Sequence, residues 1–241
     1  MSEEATADYR PNPSVTARVA HFGQEREPAV IVDDFLAEPR ALVEAAATRT
    51  YADVRNNLYP GVRAALPPQY LHHVLALVRE PARIVFGLAD LDAARVEGDF
   101  SVVATPPSQL QLLQCLPHFD TTDRRQLAVL HYLCRPEQGG TAFYRHRSTG
   151  YESIDATRHD NYMAALGADL KANGPPPRGY IRASSPLFEQ TGVLEARFNR
   201  MVIYRSATLH SGMIPPDATF DPDPRKGRLT ANTFLMFRDA A

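Results

Sequence analysis

From Phe100 to the end of the chain, strand-like segments follow one another almost without interruption. Each is a short run rich in apolar, β-branched or aromatic residues between polar turns, a pattern typical of β-strands. Six segments fit this description: FSVVAT (100–105), QLQLLQCL (109–116), QLAVLHYLC (126–134), GTAFYRHR (140–147), FNRMVIYR (198–205) and LTANTFLMF (229–237). Because helices do not alternate with these strands, the pattern argues against a parallel doubly wound sheet. It predicts an all-β barrel or sandwich with helices packed on it.

The first part of the chain has a different texture. Residues 1–14 are polar and predict a mobile tail, and residues 29–32 are a short candidate for a buried strand. Residues 38–51 and 68–86 carry apolar side chains at helical spacing, and the second of these has a continuous apolar stripe. Two helices are therefore predicted to precede the strands.

These patterns predict one domain that is α+β but mainly β. At 241 residues the chain is long enough for one substantial core. We predict a single domain over residues 15–241, with a helical part at 35–90, a β core at about 100–238 and an insert at 154–195 that contains one helix.

The composition limits the classes of molecule that the chain is expected to bind. With 26 Lys and Arg against 28 Asp and Glu, and no dense basic block, nucleic acid is not the expected partner. No apolar run approaches the roughly 18 residues that a membrane span needs. The acidic N-terminal residues do not resemble a secretory signal, and two cysteines are too few for a disulfide framework. We expect a cytoplasmic protein whose substrate is a small molecule or a peptide; its oligomeric state stays open.

The segment LPHFD at 116–120 carries the most informative chemistry. His118 and Asp120 are two residues apart, so on a strand or at its end their side chains project to the same side. An imidazole and a carboxylate that converge are two of the three ligands of a non-haem iron site. His210, which follows the strand-like segment 198–205, is the best candidate for the third. We therefore predict His118, Asp120 and His210 as metal ligands and catalytic residues.

A second polar pair lies on the last strand. Alternation puts Arg228, Thr230 and Asn232 on one face, and the apolar Leu229, Ala231 and Leu235 on the other together with Thr233. An arginine fork beside a hydroxyl is suited to binding a carboxylate bidentately. Lys226 is a rival for this role, and an arginine that faces solvent on an edge strand is the structural alternative.

Taken in order, His-x-Asp, His and Arg-x-Thr resemble the iron(II) and 2-oxoglutarate dependent oxygenase superfamily, in the branch near the prolyl hydroxylases. The resemblance covers roughly residues 100–238 and includes the strand–turn–strand at 126–144. The stretch 117–147 is also similar to an uncharacterised bacterial subfamily. The loop 214–227 makes the separation of His210 and Arg228 longer than the superfamily pattern.

The resemblance implies a double-stranded β-helix, or jelly roll, with the metal at one open end. It implies iron(II) on the three predicted ligands, the distal carboxylate of 2-oxoglutarate on Arg228 with Thr230, and O₂ as the oxidant. The implied reaction is of the hydroxylase type, on an amino acid, a peptide or a small natural product. Superfamily members that halogenate have a small residue where this chain has Asp120.

Alternatives stay open at this point. A cupin-like or degenerate barrel would bind a metal or a small acid without turnover, and a zinc hydrolase would use the same ligands but give Arg228 no role. Arg145 and Arg147 are candidates for binding a substrate carboxylate or phosphate, although a solvated rim explains them equally well. His131 is predicted to be a core histidine.

Overall fold

The computed structural model describes residues 9–53 and 59–239, and antiparallel sheets form its centre. The elements in chain order are β1 (Thr16–Phe22), β2 (Glu27–Asp33), α1 (Pro39–Ala47), β3 (Ala52–Asp53), β4 (Gly61–Ala65), α2 (Pro68–Ile84), β5 (Leu88–Val103), β6 (Gln126–Tyr132), β7 (Thr141–His146), α3 (His159–Asn173), β8 (Phe188–Leu194), β9 (Arg200–Arg205), β10 (His210–Gly212) and β11 (Arg228–Asp239). The prediction of a mainly β protein is confirmed.

Two sheets carry these strands. The large sheet has the order β1-β2-β9-β6-β11-β5-β4-β3, and the small sheet has the order β10-β7-β8. An isolated antiparallel bridge between His118 and His210 adds the 118–120 segment beside β10. The four central strands of the large sheet then face four segments of the small one, and most neighbours are not consecutive in the chain. This is the two-sheet arrangement of a jelly roll.

Three apolar clusters hold the layers together. The first joins α1 and α2 to one face of the large sheet and includes Leu42, Tyr70 and Val129. The second lies between the two sheets, and the third lies between the small sheet and α3. The large sheet therefore has helices on one face and the small sheet on the other, so its second face forms a wall of any cavity between the sheets.

The part at 35–90 is not helical throughout. Both predicted helices are present as α1 and α2, but β3 and β4 form an antiparallel pair between them, and β5 begins at Leu88. The GVRAA sequence of β4 has one β-branched residue and no strict alternation of apolar and polar side chains, so it carries little strand signal. The sequence pattern therefore missed the edge of the large sheet.

The prediction of a mobile tail at 1–14 does not describe all of that segment. Residues 1–8 lie outside the described residues. Tyr9 is buried, Pro11 forms a β-bridge with Leu36, and the Asn12 N–H donates to Phe35 O at 2.8 Å. Residues 9–14 are thus packed on the domain.

The prediction of a strand at 109–116 is wrong. This part of the chain instead contains two 3₁₀ turns, Pro107–Gln109 and Leu112–Cys115. The Gln111 N–H donates to the Gln114 side chain at 2.8 Å, a local bond that replaces strand pairing. The insert at 154–195 contains the predicted helix as α3 but also holds β8, which the pattern did not identify. None of the helices in the described ranges has the length and apolarity to cross a membrane.

Candidate metal centre

Main-chain hydrogen bonds fix the positions of the predicted ligands. The His118 N–H donates to His210 O at 2.9 Å, and the His210 N–H donates to His118 O at 2.8 Å. The Asp120 N–H donates to Ser206 O at 2.8 Å. Two segments that are far apart in sequence are therefore paired as neighbouring strands, with their polar side chains on the same side.

The three side chains converge. One possible ligand atom from each of His118, Asp120 and His210 lies within 4.8 Å of the others. The Asp120 carboxylate oxygens lie 3.8 Å from His118 Nε2 and 3.8 Å from His210 Nε2, and the two imidazole centroids are 4.4 Å apart. A 2-His-1-carboxylate set of this kind suits iron(II) or zinc.

The tautomer of His210 is set by its surroundings. Its Nδ1–H donates to Thr208 O at 2.8 Å, which leaves the Nε2 lone pair free to bind a metal. The ring also packs edge-on against Tyr204, with centroids 5.0 Å apart. These contacts hold the imidazole with its Nε2 towards Asp120, 3.8 Å from a carboxylate oxygen.

The electrostatics of the cluster suit a cation. Desolvation in the cavity and the neighbouring His210 lower the pKa of His118 to about 3, so its imidazole is neutral and able to coordinate. Its side chain is nevertheless 47% exposed, so it is accessible to a ligand. Burial raises the pKa of Asp120, against the lowering effects of His210 and Arg63. A bound divalent cation would compensate this desolvated carboxylate, so the residues fit a metal.

The ligands lie in a cavity of about 580 Å³ between the sheets. Arg228 lines the same cavity as the three ligands. Aromatic rings form much of the remaining wall: Tyr59, Phe119, Tyr180, Tyr204 and Phe234. The space has the size and the mixed apolar and polar character typical of a small-molecule site.

Arg228 is held rigidly at the cavity wall. Its Nε and NH2 groups donate to the carbonyls of Gly139 and Gly140 at 3.0 and 3.1 Å, and its guanidinium lies 5.7 Å from the Tyr132 ring centroid. It is 5% exposed, and no ion pair joins it to a carboxylate within the described residues. A buried guanidinium without an acidic partner is suited to the carboxylate of a ligand.

The two glycines allow this contact. Gly139 has a φ of +87°, and a Cβ at that position would lie 2.1 Å from Met213 O. A Cβ at Gly140 would lie 2.0 Å from Leu194 O. Only glycine lets this turn approach both backbones and still aim its carbonyls at Arg228.

Two residues predicted near the co-substrate do not line the cavity. Thr230 is fully buried, and its hydroxyl donates to Ser101 O at 3.4 Å. Lys226 is 65% exposed and pairs with Asp223 at 3.3 Å and Asp221 at 3.7 Å. Of the candidates for carboxylate binding on this strand and loop, Arg228 is the one that lines the cavity.

The arginines predicted to bind substrate lie elsewhere. Arg145 forms ion pairs with Glu189 and, at 3.6 Å, with Glu152. Arg147 lies 3.9 Å from Glu189 and donates from Nε to Ser185 O. Neither residue lines the cavity. Their charges are used by the small sheet and its adjoining loop, so we do not retain them as substrate ligands.

Sequence reasoning missed Arg63 and Tyr59, which line the cavity from β4 and the residues before it. Arg63 lies between Val62 and Ala64, and a cation inside an apolar strand was the feature that identified Arg228. The same feature could not identify Arg63, because β4 was not recognised as a strand.

Comparison with known proteins gives a family and distant structural likenesses. The model of a family of unknown function, DUF6445, matches residues 13–235. No curated protein matches the sequence significantly. Several solved structures match most of the chain at low sequence identity.

The non-heme alpha ketoglutarate dependent carbocyclase SnoK from nogalamycin biosynthesis is 17% identical, with 90% of this chain and 84% of that chain covered and a TM-score of 0.49. HygX from Streptomyces hygroscopicus, solved with nickel and 2-oxoglutarate, is 10% identical over 86% and 82%, with a TM-score of 0.44. EvdO2 from Micromonospora carbonacea var. aurantiaca is 15% identical over 88% of each chain, with a TM-score of 0.44. Since all three scores lie below 0.5, the function of this chain has to be argued from its own residues.

Proposed function

The chain belongs to the DUF6445 family, and we propose that it is a non-haem iron(II) and 2-oxoglutarate dependent oxygenase. One observation carries the proposal: a single cavity combines a 2-His-1-carboxylate cluster with a buried arginine that has no acidic partner in the described ranges. A metal site alone fits many chemistries. The added arginine favours a co-substrate that carries a carboxylate.

Each residue has a defined part. His118, Asp120 and His210 would hold iron(II), and Arg228 would bind the distal carboxylate of 2-oxoglutarate. Iron bound there would supply, with O₂ and 2-oxoglutarate, the oxidising chemistry, with succinate and CO₂ as co-products. The chain supplies the positions of these groups.

The protein's own contribution is preorganisation. The paired main chains of His118 and His210 fix the ligand spacing, and the bond from His210 to Thr208 O fixes the imidazole tautomer. The carbonyls of Gly139 and Gly140 hold the guanidinium of Arg228. The aromatic walls limit water around the reacting groups, which strengthens these electrostatic contacts.

The carboxylate of Asp120 favours hydroxylation over halogenation. An anionic oxygen is a good ligand for iron(II), so Asp120 would hold the metal where a halide would otherwise bind. We propose that the substrate is an amino acid, a peptide or a small natural product. Turnover in high bromide should give no brominated product, and a brominated product would contradict this part of the proposal.

The test separates an enzyme from a binding barrel. The purified chain is loaded with iron(II) without oxygen, titrated with 2-oxoglutarate by calorimetry, and then exposed to O₂ while succinate is measured. We expect stoichiometric binding followed by succinate formation, both lost in Asp120→Ala and kept in the exposed control Lys226→Ala. Binding of iron and 2-oxoglutarate without any succinate would instead indicate a non-catalytic cupin-like barrel.

A further inference from the structure

A second arginine faces the metal cavity. Arg63 lies on β4, where it pairs in register with Ser101 of β5, and Ser101 pairs with Thr230 of β11. Arg63 and Arg228 therefore lie on neighbouring parts of one sheet face, and both line the cavity. Arg63 thus lies in the same cavity as the three predicted ligands. The proposed co-substrate needs one arginine, and this one is left over.

The polar atoms of Arg63 have no protein partner in the part of the chain that the structure describes. Its Nε is buried and makes no hydrogen bond, and no ion pair joins its guanidinium to another residue. The guanidinium lies over the Tyr59 ring, 4.6 Å from the centroid, which orients the fork without using its N–H groups. A buried donor without a partner costs free energy that a ligand can recover.

The acidic residues near Arg63 are not its ion-pair partners. Asp99 of β5 interacts electrostatically with Arg63, which lowers the pKa of that carboxyl, and with Glu97, which raises it together with burial. Neither Asp99 nor Glu97 forms an ion pair with Arg63 within the described residues. Farther along the wall, Asn232 Oδ1 is also buried without a partner. The wall therefore offers a bound molecule the cationic fork of Arg63 and, among its acceptors, the unpartnered Oδ1 of Asn232.

We propose that Arg63 binds the carboxylate of the substrate and so restricts the enzyme to small carboxylic acids. The inference rests on the proposed function, because it takes the cavity as the oxidation site. A planar fork matches the two oxygens of a carboxylate, and a single arginine balances one negative charge. Asn232 would accept a hydrogen bond from an N–H or O–H of the same molecule. Tyr59, Tyr180 and Phe234 would contact its apolar part.

The experiment compares acids with their neutral amides. The full chain is loaded with Zn(II), which has no redox chemistry, and with 2-oxoglutarate. It is then titrated by calorimetry with two matched pairs, 3-phenylpropionate with 3-phenylpropanamide and N-acetylleucine with N-acetylleucinamide. We expect at least one acid to bind about tenfold or more tightly than its amide. Arg63→Gln should reduce that preference to within about twofold, and Arg63→Lys, which keeps the charge but not the fork, should retain part of it.

Arg197→Gln is the matched control. Arg197 is exposed, pairs with Asp34 at 3.5 Å and does not line the cavity, so its loss should leave the acid preference unchanged. Melting temperatures of all variants verify that they are folded. The proposal is overturned if the wild-type chain binds none of the acids, if acids and amides bind alike, or if the preference survives in Arg63→Gln. It is also overturned if Arg63→Gln weakens the binding of 2-oxoglutarate and leaves the binding of the acids unchanged.

Failure of the proposed function gives a different result. Binding of Zn(II) and of 2-oxoglutarate is measured before the acids are added, and a chain that binds neither contradicts the oxygenase assignment. The acid and amide titrations are repeated on the metal-free wild-type, Arg63→Gln and Arg228→Ala chains; because both arginines line the cavity, the part of the preference that is lost in Arg63→Gln reports on Arg63.

Discussion

Two polar side chains on opposite faces of the large sheet, His131 and Arg63, differ in whether the protein provides hydrogen-bond partners for them. On the face covered by α2, His131 of β6 is fully buried; its Nε2–H donates to Asn199 Oδ1 at 3.2 Å, and its Nδ1 accepts from the Tyr70 hydroxyl at 3.1 Å. On the cavity face, Arg63 Nε and Asn232 Oδ1 are buried without partners. A polar group with its partners in place stabilises the fold, whereas one that lacks them beside a cavity indicates a ligand.

A lowered pKa does not distinguish a core histidine from a predicted metal ligand. Burial lowers the pKa of His131 to about 4, against the raising effect of its bond to Asn199. Desolvation lowers that of His118 to about 3. Both imidazoles are neutral near pH 7. The difference lies in Nε2: in His131 it is hydrogen-bonded to the protein, and in His118 it faces Asp120.

The largest expected effect is the loss of iron(II) binding when a predicted metal ligand is removed. His118→Ala and His210→Ala should each abolish stoichiometric iron(II) binding, because two of the three ligands then remain. Circular dichroism should stay close to wild type, since the paired backbone is unchanged. Iron content after desalting measures the effect. Either variant with near-normal iron would remove that histidine from the site.

Arg228 should show the next largest effect. Arg228→Ala leaves a ligand carboxylate without its bidentate partner, which costs about 2–5 kcal/mol. We expect the KM for 2-oxoglutarate to rise at least tenfold, with iron affinity little changed. Lys226→Ala serves as the control because Lys226 is exposed and paired with Asp223. The opposite assignment of the two residues would follow if the control variant alone raised KM.

His131 should affect stability and not the site. His131→Ala removes two buried hydrogen bonds and leaves a cavity, so we expect the free energy of unfolding to fall by about 3 kcal/mol. Iron binding should remain stoichiometric in the folded variant. Urea denaturation and metal analysis measure the two quantities. Loss of iron without loss of stability would break the distinction between the two faces.

The smallest effect is a pH dependence from the same histidine. In the unfolded chain its pKa is about 6.5, and in the folded protein it is lowered to about 4. Between these values the unfolded state binds the additional proton, so the free energy of unfolding falls as pH drops from about 6.5 towards 4. His131→Gln should reduce the slope of this part of the stability profile, while His118, whose pKa is also lowered, contributes the rest. An unchanged slope in that variant would assign the dependence to other groups.

Some of the site could be predicted because its signals are local. Alternation along β11 separated the polar Arg228 and Asn232 from the apolar Leu229, and the structure has Leu229 in the core and the other two at the cavity. The spacing of His118 and Asp120 predicted their convergence. The pairing of His118 with His210 is a contact across the fold; the position of His210 after the segment 198–205 made it a candidate, and the order of motifs in the resembling superfamily supported that choice.

Other features depended on contacts that no local pattern contains. Alternation predicted the correct face for Thr230 but could not show that Ser101 O accepts its hydroxyl. The strand that carries Arg63 is short, and its pairing partner β5 lies beyond a helix of 17 residues. The consecutive Leu112 and Leu113 suggested a buried strand, yet both are about half exposed on a 3₁₀ turn.

The backbone bridge between His118 and His210 has a consequence for the proposed metal binding. Because main-chain bonds already pair the two segments and the possible ligand atoms lie within 4.8 Å of one another, an incoming ion would order few side chains and little conformational entropy would be lost on binding. The empty protein and the loaded protein should therefore share one backbone, and loading should be reversible without unfolding. Discrimination among divalent ions then falls to ligand chemistry and to the concentrations that the cell maintains.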